Sequence, residues 1–379
     1  MKRKITAIIL VIIMTFSFTG CWSYRGLNEL SLVMGIGIDM DDSGEFYETT
    51  FEIIDLTESS KDKGIKSKIV ESSGKTLFDA VRNAKKRLQN RLYFAHAQVI
   101  IIGEEVAKRE NVLSIIDLFM RDGEPRETIH LAVSKEKTAK DILTSKGVDN
   151  KIVSLAVRQI IDEDAKTTSS TSNNVSYKAF NILKDDGKSL MLAALHLAEN
   201  DKEKVPESDG VAIFDKGKLS GFLSPEQTKY VLFVNNEVKE GSLSFDIDGK
   251  GTDDVSFEIN KNNTKKSFSY ENGKLKFKIE TNTDVFLDEL KSNLSMLDKN
   301  EIKSLEQKTS ELMAERIKNI VLLAQASGSD VFGLGDYIYK HDFKVWRQLE
   351  GKWYGLFPTV EVEVKSVIHI RNSSFIKEM

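Results

Sequence analysis

The sequence predicts an α+β fold in three domains, with mixed or antiparallel sheets packed against helices. Three observations support this class. Strand-like and helical segments alternate in the first part of the chain, and residues 241–282 alternate apolar and polar residues between Gly and Asn turns. Residues 298–327 carry apolar residues at helical spacing. The C-terminal domain is therefore expected to be a long helix lying across an antiparallel sheet.

The first domain is predicted over residues 21–145. Two strands, Leu32–Asp39 and Tyr47–Asp55, precede a polar segment, Lys61–Lys68, that is expected to be a mobile loop. Thr76 is the predicted cap of a helix whose apolar stripe continues to Leu92. The further predicted elements are the strands Gln98–Ile102 and Thr128–Val133, and the helices Asn111–Met120 and Thr138–Leu143.

The middle domain is predicted over residues 146–240 and the C-terminal domain over residues 241–379. The middle domain contains a polar loop, Lys166–Asn174, a hairpin over residues 210–223, and a helix that begins at Ser224-Pro225. In the C-terminal domain, Asp298 and Glu301 form a capping box for the long helix. A last strand is predicted over Thr359–Arg371. A chain of 379 residues exceeds one ordinary core, in agreement with several domains.

The N-terminus has the pattern of an export signal. Three basic residues, Lys2 to Lys4, precede an apolar run from Ile5 to Thr19, which is too short to span a bilayer comfortably. The run ends at Gly20-Cys21, as in a bacterial lipoprotein processing site, and Cys21 is the only cysteine. Residues 1–20 are therefore predicted to be a signal peptide and Cys21 the lipid attachment site. The alternative is an uncleaved anchor helix with an incidental cysteine.

Composition limits the partners. The formal charge is −4, and removal of residues 1–20 would change it to −7, because that segment holds three cations and no anion. A mildly acidic body argues against nucleic acid or a broad anionic lipid surface as a partner, since both favour concentrated basic residues. With one cysteine the chain can form no intramolecular disulfide, so its stability must come from its cores.

Motifs for metals and catalysis are weak in this sequence. Residues 39–44 resemble the start of a calcium loop, but Thr50 replaces the bidentate glutamate at position twelve, which favours an ordinary hairpin turn. The five histidines show no metal-ligand spacing, and Gly35-Ile36-Gly37 lacks the third glycine of a phosphate loop. No catalytic residue, metal or cofactor is predicted.

Two segments are candidates for a partner interface. Residues 121–127 form a dense charged turn in which Arg121 and Arg126 could make buried or interface ion pairs, although a solvated loop is the simpler interpretation. Large aromatics including Trp346 and Trp353 gather near the C-terminus; they are expected to be core or, if exposed, a docking surface.

Taken together, the chain resembles the C-subunit lipoproteins of bacterial spore germinant receptors, the Ger(x)C family. Several blocks carry the resemblance, in order and over nearly all of the chain after residue 20. These blocks are Cys21–Leu30 leading into Gly35–Asp39, Arg91–His96 with Val99–Glu105, Phe119–Asp122 with Arg126, Asp209–Phe214 with Lys218–Gly221, and Asp330–Gly335 with Trp346 and Phe357-Pro358.

The resemblance implies a three-domain α+β protein tethered to the outer face of the inner spore membrane. It implies work with integral-membrane A and B subunits in sensing nutrients and triggering germination. It implies no enzymatic activity, and it attributes nutrient recognition mainly to the B subunit, so direct small-molecule binding is not expected here.

Two other functional classes remain open from the residues alone. A solute-binding lipoprotein of an envelope transporter would have two similar α/β lobes, and the run of strands over residues 241–282 does not favour a second lobe like the first. An envelope hydrolase is disfavoured by the lack of a motif.

Overall fold

Two β-sheets and the helices packed on them organise the chain. A computed structural model describes residues 29–60, 64–148, 152–291 and 298–371, together with Ile5 and Gly26. The strands are β1 (Leu30–Met40), β2 (Tyr47–Ser60), β3 (Gly64–Gly74), β4 (Arg91–Tyr93), β5 (Val99–Gly103), β6 (His130–Ser134), β7 (Met191–Asn200), β8 (Glu203–Asp215), β9 (Lys218–Leu223), β10 (Ser242–Phe245), β11 (Val255–Glu271), β12 (Lys274–Leu290) and β13 (Glu361–Ile370). The helices are α1 (Leu77–Asn83), α2 (Glu104–Arg109), α3 (Val112–Arg121), α4 (Ala139–Leu143), α5 (Val153–Thr167), α6 (Ser176–Lys184), α7 (Pro225–Asn235), α8 (Lys299–Ala326), α9 (Leu334–His341), α10 (Phe343–Leu349) and α11 (Trp353–Leu356).

The first sheet is mixed and has nine strands. Its order is β3-β2-β1-β5-β6-β7-β8-β9, and β4 pairs with the start of β1. The central strands β1, β5, β6 and β7 run parallel, whereas β2–β3 and β8–β9 extend the sheet antiparallel on either side. Helices cover both faces, as a sheet with parallel central strands requires.

The second sheet has four strands in the order β10-β11-β12-β13. The first three are antiparallel, while β13 joins parallel to β12. The connection between β12 and β13 contains α8, whose 28 residues span about 42 Å. A helix of this length returns the chain to the end at which β12 began, so the last strand runs in the same direction as β12.

The α+β class and the long helix on a sheet are confirmed. Helix α8 begins after Asp298, which forms the predicted capping box with Glu301, and its buried face includes Met313 and Ile317. The predicted cap at Ser224 is also present.

Two local predictions were wrong. Part of the predicted loop over residues 61–68 belongs to β3, which pairs with β2 from Gly64 onward. The helix after Thr76 ends at Asn83 rather than continuing toward Leu92. A 3₁₀ turn follows it, and Leu92 lies in β4 because residues 91–93 pair with the start of β1.

The polar loop between α5 and α6 is more buried than its composition suggests. Ser169 and Thr171 are at most 1% exposed. The Thr171 hydroxyl donates to the Gly210 carbonyl at 2.9 Å, and the Ser169 hydroxyl donates to the Glu240 carbonyl at 2.6 Å. Hydroxyl groups that bond to backbone carbonyls can be buried at little cost, so this loop is fixed to β8 and to the segment before β10.

Three apolar clusters hold the fold together. Two of them lie on opposite faces of the first sheet, one under α1–α3 and the other under α4 and α5. The third cluster continues from β7, β8 and β9 of the first sheet into the second sheet and α8. The two sheets therefore share one continuous core.

The two predicted domain limits, at residues 145 and 240, differ in how they relate to the sheets. The limit at residue 145 lies between α4 and α5, and strands on both sides of it pair in the first sheet. The limit at residue 240 lies just before β10 of the second sheet. The three-domain division stays a prediction.

Candidate interaction surface and buried junction

The residues singled out from the sequence occupy very different environments. Cys21 and residues 1–20, apart from Ile5, lie outside the described residues, so the anchor prediction has no structural counterpart here. Within the part of the chain that the structure describes, no helix is both long and apolar enough to cross a membrane.

The charged turn after α3 lies on the surface. The side chain of Arg121 is 78% exposed, and its Nε donates to Asp117 one helical turn earlier at 2.5 Å. Arg91 of β4 pairs with Glu124 of the turn. Arg126 is exposed and has no ion pair among the described residues. The hypothesis of buried ion pairs is therefore wrong for both arginines, while their role in a partner interface stays a prediction.

Trp346 and Trp353 are interior residues. They are 4% and 1% exposed, and their rings meet edge to face with centroids 5.8 Å apart. The prediction that they form a docking surface needs correction, because side chains buried to this extent present no area to a partner.

The exposed aromatics of this region are Tyr339 and Phe343. Tyr339 is 46% exposed and Phe343 is 53% exposed, and their ring centroids are 5.7 Å apart. The guanidinium of Arg347 lies 5.9 Å from the centre of the Phe343 ring. Sequence reasoning missed this pair. The signal that could have revealed it is the spacing of four residues between the two aromatics, on the side of the helices that faces away from buried Ile338 and Trp346.

Behind Trp353 lies a buried carboxylate, that of Asp330. It accepts hydrogen bonds from the backbone N–H groups of Leu334 and Gly335 at 3.0 and 2.9 Å, and from Trp353 Nε1 at 3.1 Å. The two N–H groups open α9, whose own cap residue, Gly333, has no side chain to bind them. Asp330 thus caps the helix and orients the indole.

The segment Asp330–Asp336 also connects the two sheet units, which are the first sheet with its helices and the second sheet with its helices. The Ser189 N–H donates to the Asp330 carbonyl at 2.8 Å, and the Asp336 N–H donates to the Gly187 carbonyl at 2.8 Å. A Cβ on Gly335 would lie 2.7 Å from Trp353 Nε1 and 2.9 Å from the Gly187 Cα. Only glycine permits this approach, so the block Asp330–Gly335 is the place where the chain before β7 meets the C-terminal helices.

A lysine from the second sheet also bonds to the block Asp330–Gly335, which is called the buried junction. Lys266 Nζ donates to the Phe332 carbonyl at 2.6 Å and to Asn235 Oδ1 at 3.1 Å. Burial lowers the pKa of Lys266 to about 8, and the negative charge of Asp330 acts in the opposite direction. Burial also raises the pKa of Asp330, while the bonds from Gly335 and Leu334 and the charge of Lys266 lower it.

Two further buried carboxylates cap helices from a distance in sequence. Glu52 of β2 accepts from the Val153 and Ser154 N–H groups at 2.9 and 2.7 Å, at the start of α5. Asp39 of β1 accepts from the Ala139 and Lys140 N–H groups at 2.7 and 3.1 Å, at the start of α4. These bonds fix both helices to the first sheet.

The glycines of β1 allow α5 to lie this close. A Cβ on Gly35 would be 2.0 Å from Ser154 Oγ. The Gly-Ile-Gly-Ile-Asp run is therefore a packing motif, in which glycine admits the helix and Asp39 caps its neighbour.

The turn between β1 and β2 has the hairpin geometry expected of it. Asp41 accepts from the Glu45 and Phe46 N–H groups at 3.0 and 3.1 Å and from the Ser43 hydroxyl at 2.7 Å. These bonds occupy its carboxylate within the turn. Among the residues that the structure describes, no group of three or more His, Cys, Asp or Glu side chains is arranged to hold a metal ion.

Comparison with known proteins gives a consistent result. Residues 23–197 match the family described as "Spore germination protein N-terminal domain", and residues 209–374 match "Spore germination B3/ GerAC like, C-terminal". The chain is 23% identical to spore germination protein KC of Bacillus subtilis, covering 98% of this chain and 97% of that protein. It is 27% identical to spore germination protein B3 of the same organism, with 91% of each covered. The crystal structure of the GerBC protein matches with a TM-score of 0.58 at 22% identity, covering 92% of this chain and all of that one.

Proposed function

Because the chain belongs to the Ger(x)C family of spore germination proteins, we propose that it is a lipid-anchored, non-enzymatic subunit of a nutrient germinant receptor. In this role it lies on the outer face of the inner spore membrane and acts with integral-membrane A and B subunits to trigger germination. The observation that carries the proposal is the position of the sole cysteine, directly after a basic and apolar leader and nine residues before β1 of a body of this family.

The anchor explains how a body of this kind can join a membrane complex. A diacylglycerol on the Cys21 thiol, with an acyl group on the new amine, gives two or more chains, which is enough for stable membrane attachment. Confinement to the surface raises the effective concentration of the body near its partners. Individually weak contacts, at the exposed arginines or at Tyr339 and Phe343, can then hold a complex.

The transporter alternative predicts two similar lobes. The two sheet units differ in strand number, with nine strands against four, and in strand order. Among the described residues they also share a core, unlike the separate lobes that close around a solute. The receptor role is therefore the better-supported proposal.

The first test concerns the anchor. Wild type, Cys21→Ala and the matched control Ser23→Ala are expressed in a Gram-positive host, and their intact masses and membrane partitioning are measured. We expect wild type and the control to lack residues 1–20, carry added acyl mass and stay with the membrane, while Cys21→Ala leaves it. If all three keep residues 1–20 and remain membrane-bound, the segment is an uncleaved helix and the anchor proposal fails.

The second test concerns the partners. The tagged, intact protein is purified from spore membranes in mild detergent and its co-purifying proteins are identified. The proposal expects integral-membrane A and B subunits in proportion to the bait, and their absence under conditions that preserve other membrane complexes would contradict it.

A further inference from the structure

A small polar cleft lies at the end of the first sheet where β5 and β6 begin. Its volume is about 310 Å³, at the lower limit for ligand pockets, so it suits a small group rather than a large molecule. The lining includes Gln98, Arg126, His130, Arg158, Asp162 and Lys178.

The charge of this lining is positive. Arg126, Arg158 and Lys178 contribute three cations against the single carboxylate of Asp162. Arg158 is partly engaged, since its Nη1 donates to Gln98 Oε1 at 2.7 Å and its Nε lies 3.5 Å from Asp162 Oδ2. Within the described part of the chain, Arg126 and Lys178 have no carboxylate partner. Excess cations that converge on one small cleft are a recurrent way to hold an anion.

The wall of the cleft also contains a buried histidine. His130 is 6% exposed, and its Nε2 lies 2.8 Å from Asp162 Oδ1. Its Nδ1 is buried and has no hydrogen-bond partner among the residues described. Because Nδ1 has no accessible surface, it makes no contact with a molecule in the cleft, and the three cations alone would hold an anion there.

The position of the cleft relates it to the membrane end of the chain. Strands β1, β4, β5 and β6 are parallel, so their starts point to the same end of the sheet, with β5 and β6 beginning level with Gly35, five residues into β1. The chain enters this end at Leu30, nine residues after Cys21, a distance of about 30 Å at full extension. In a body anchored through Cys21, the cleft would thus lie on the half of the sheet nearer the anchored end.

We propose that this cleft binds a phosphate-bearing anion. The guanidinium groups of Arg126 and Arg158 supply paired N–H donors that match phosphate oxygens, and Lys178 adds a point charge. The source is either free phosphate in solution or the headgroup of an anionic lipid, and only the lipid source rests on the proposed anchor. This site departs from the expectation that the subunit binds no small molecule directly.

The first arm of the test uses inorganic phosphate and does not depend on the anchor. Full-length protein in neutral detergent is titrated with phosphate by calorimetry at constant ionic strength. The triple variant Arg126→Ala, Arg158→Ala, Lys178→Ala is compared with a control of equal charge, Lys303→Ala, Lys308→Ala, Lys318→Ala. All six side chains are exposed, so neither variant should disturb the fold, which circular dichroism checks.

Saturable binding by wild type and the control, weakened about tenfold or more in the cleft variant, is the expected result. No saturable binding by wild type, or equal binding by all three proteins, overturns the proposal. Retention of residues 1–20 in the mass measurement above would refute the anchor without affecting this arm.

The second arm identifies the source. Wild type and both variants are placed in nanodiscs of phosphatidylcholine with or without phosphatidylglycerol, and hydrogen exchange is followed at residues 126–130 and 175–178. Protection that requires phosphatidylglycerol and is lost only in the cleft variant supports a lipid headgroup. Phosphate binding without such protection supports a free anion.

Discussion

Replacement of Asp330 by Asn tests whether the buried carboxylate stabilises the segment at which the two sheet units meet. The change keeps the size of the side chain and removes its charge. Three N–H donors face this carboxylate, from Leu334, Gly335 and Trp353, which is the environment of an ionised group that only accepts hydrogen bonds. An amide must turn its NH₂ toward at least one of these donors.

The size of the effect follows from that mismatch. If the amide oxygen takes the position of Oδ2, the bonds from Gly335 and Trp353 survive in weaker, uncharged form. The Leu334 N–H then faces an NH₂ group, and an unsatisfied buried donor costs about 1–3 kcal/mol. Lys266 also loses its nearby negative charge. We expect a total loss of about 3 kcal/mol in the free energy of unfolding, within the range for breaking buried charged contacts.

Urea unfolding at pH 7 measures this loss, with tryptophan fluorescence as the signal because two of the three tryptophans lie in this core. The matched control is Asp336→Asn in the first turn of the same helix, where the carboxylate is 21% exposed and pairs with Lys340. The control should lose about 0.5 kcal/mol, as surface pairs do. Equal losses in the two variants, or a loss below about 1 kcal/mol for Asp330→Asn, would refute the reasoning.

Three further predictions concern the first sheet. Glu52→Ala should destabilise by about 2–4 kcal/mol and speed hydrogen exchange in the first turn of α5, because two buried N–H groups lose their acceptor. Gly35→Ala should cost about 1–3 kcal/mol through overpacking against α5, whereas Gly221→Ala, where a Cβ would meet nothing within 4 Å, should change stability by about 0.5 kcal/mol or less in denaturant titrations. Burial raises the pKa of Asp39 to about 6. Between about pH 4 and pH 6 the folded protein therefore holds a proton on Asp39 that the unfolded chain releases. The unfolding free energy of wild type relative to Asp39→Asn should therefore rise as pH falls from about 6 to about 4, by at most about 3 kcal/mol, and a flat difference between urea titrations at pH 7 and pH 4.5 would contradict this.

The sequence predicted helix starts well because the signals that set them are local. At Ser224 and Asp298 the capping side chain and its partner lie three residues apart, and both capping boxes are present. Thr138 caps α4 in the same way. Hydrogen-bond partners three residues apart can be recognised without knowledge of the fold, so such predictions do not depend on tertiary structure.

The buried caps could not be predicted in this way. Glu52 and Asp39 each bind a helix about a hundred positions further along the chain. Nothing near Val153 indicates a cap, since the residue before it is Ile152, which has no hydrogen-bonding side chain. From sequence, a carboxylate within an apolar strand resembles an ordinary surface position of an alternating strand. Only the packing of α4 and α5 on the sheet identifies its partner.

The aromatic cluster illustrates a second limit. Spacing alone placed Trp346 and Trp353 together, and they do pack together, but it could not decide between a core and a docking surface. That choice depends on Asp330, whose carboxylate gives the Trp353 N–H a buried partner. With that bond the indole can be fully buried. The exposed aromatics of this region are instead Tyr339 and Phe343.

The buried junction also restricts how the body could respond to the partners that the proposed function assigns to it. Val211 and Ile213 of the first sheet share a core with Phe277 of the second, and opening the two units would expose that core together with the Asp330 carboxylate. Such an opening costs much more than the few kcal/mol that separate the states of hinged proteins. Under the proposed function, the body is therefore expected to transmit a contact as one rigid unit, by a change of its position on the membrane rather than of its internal shape. Proteins that close around a solute depend on the opposite property, a small interface between lobes, and this is the physical reason that the shared core favours an interaction subunit.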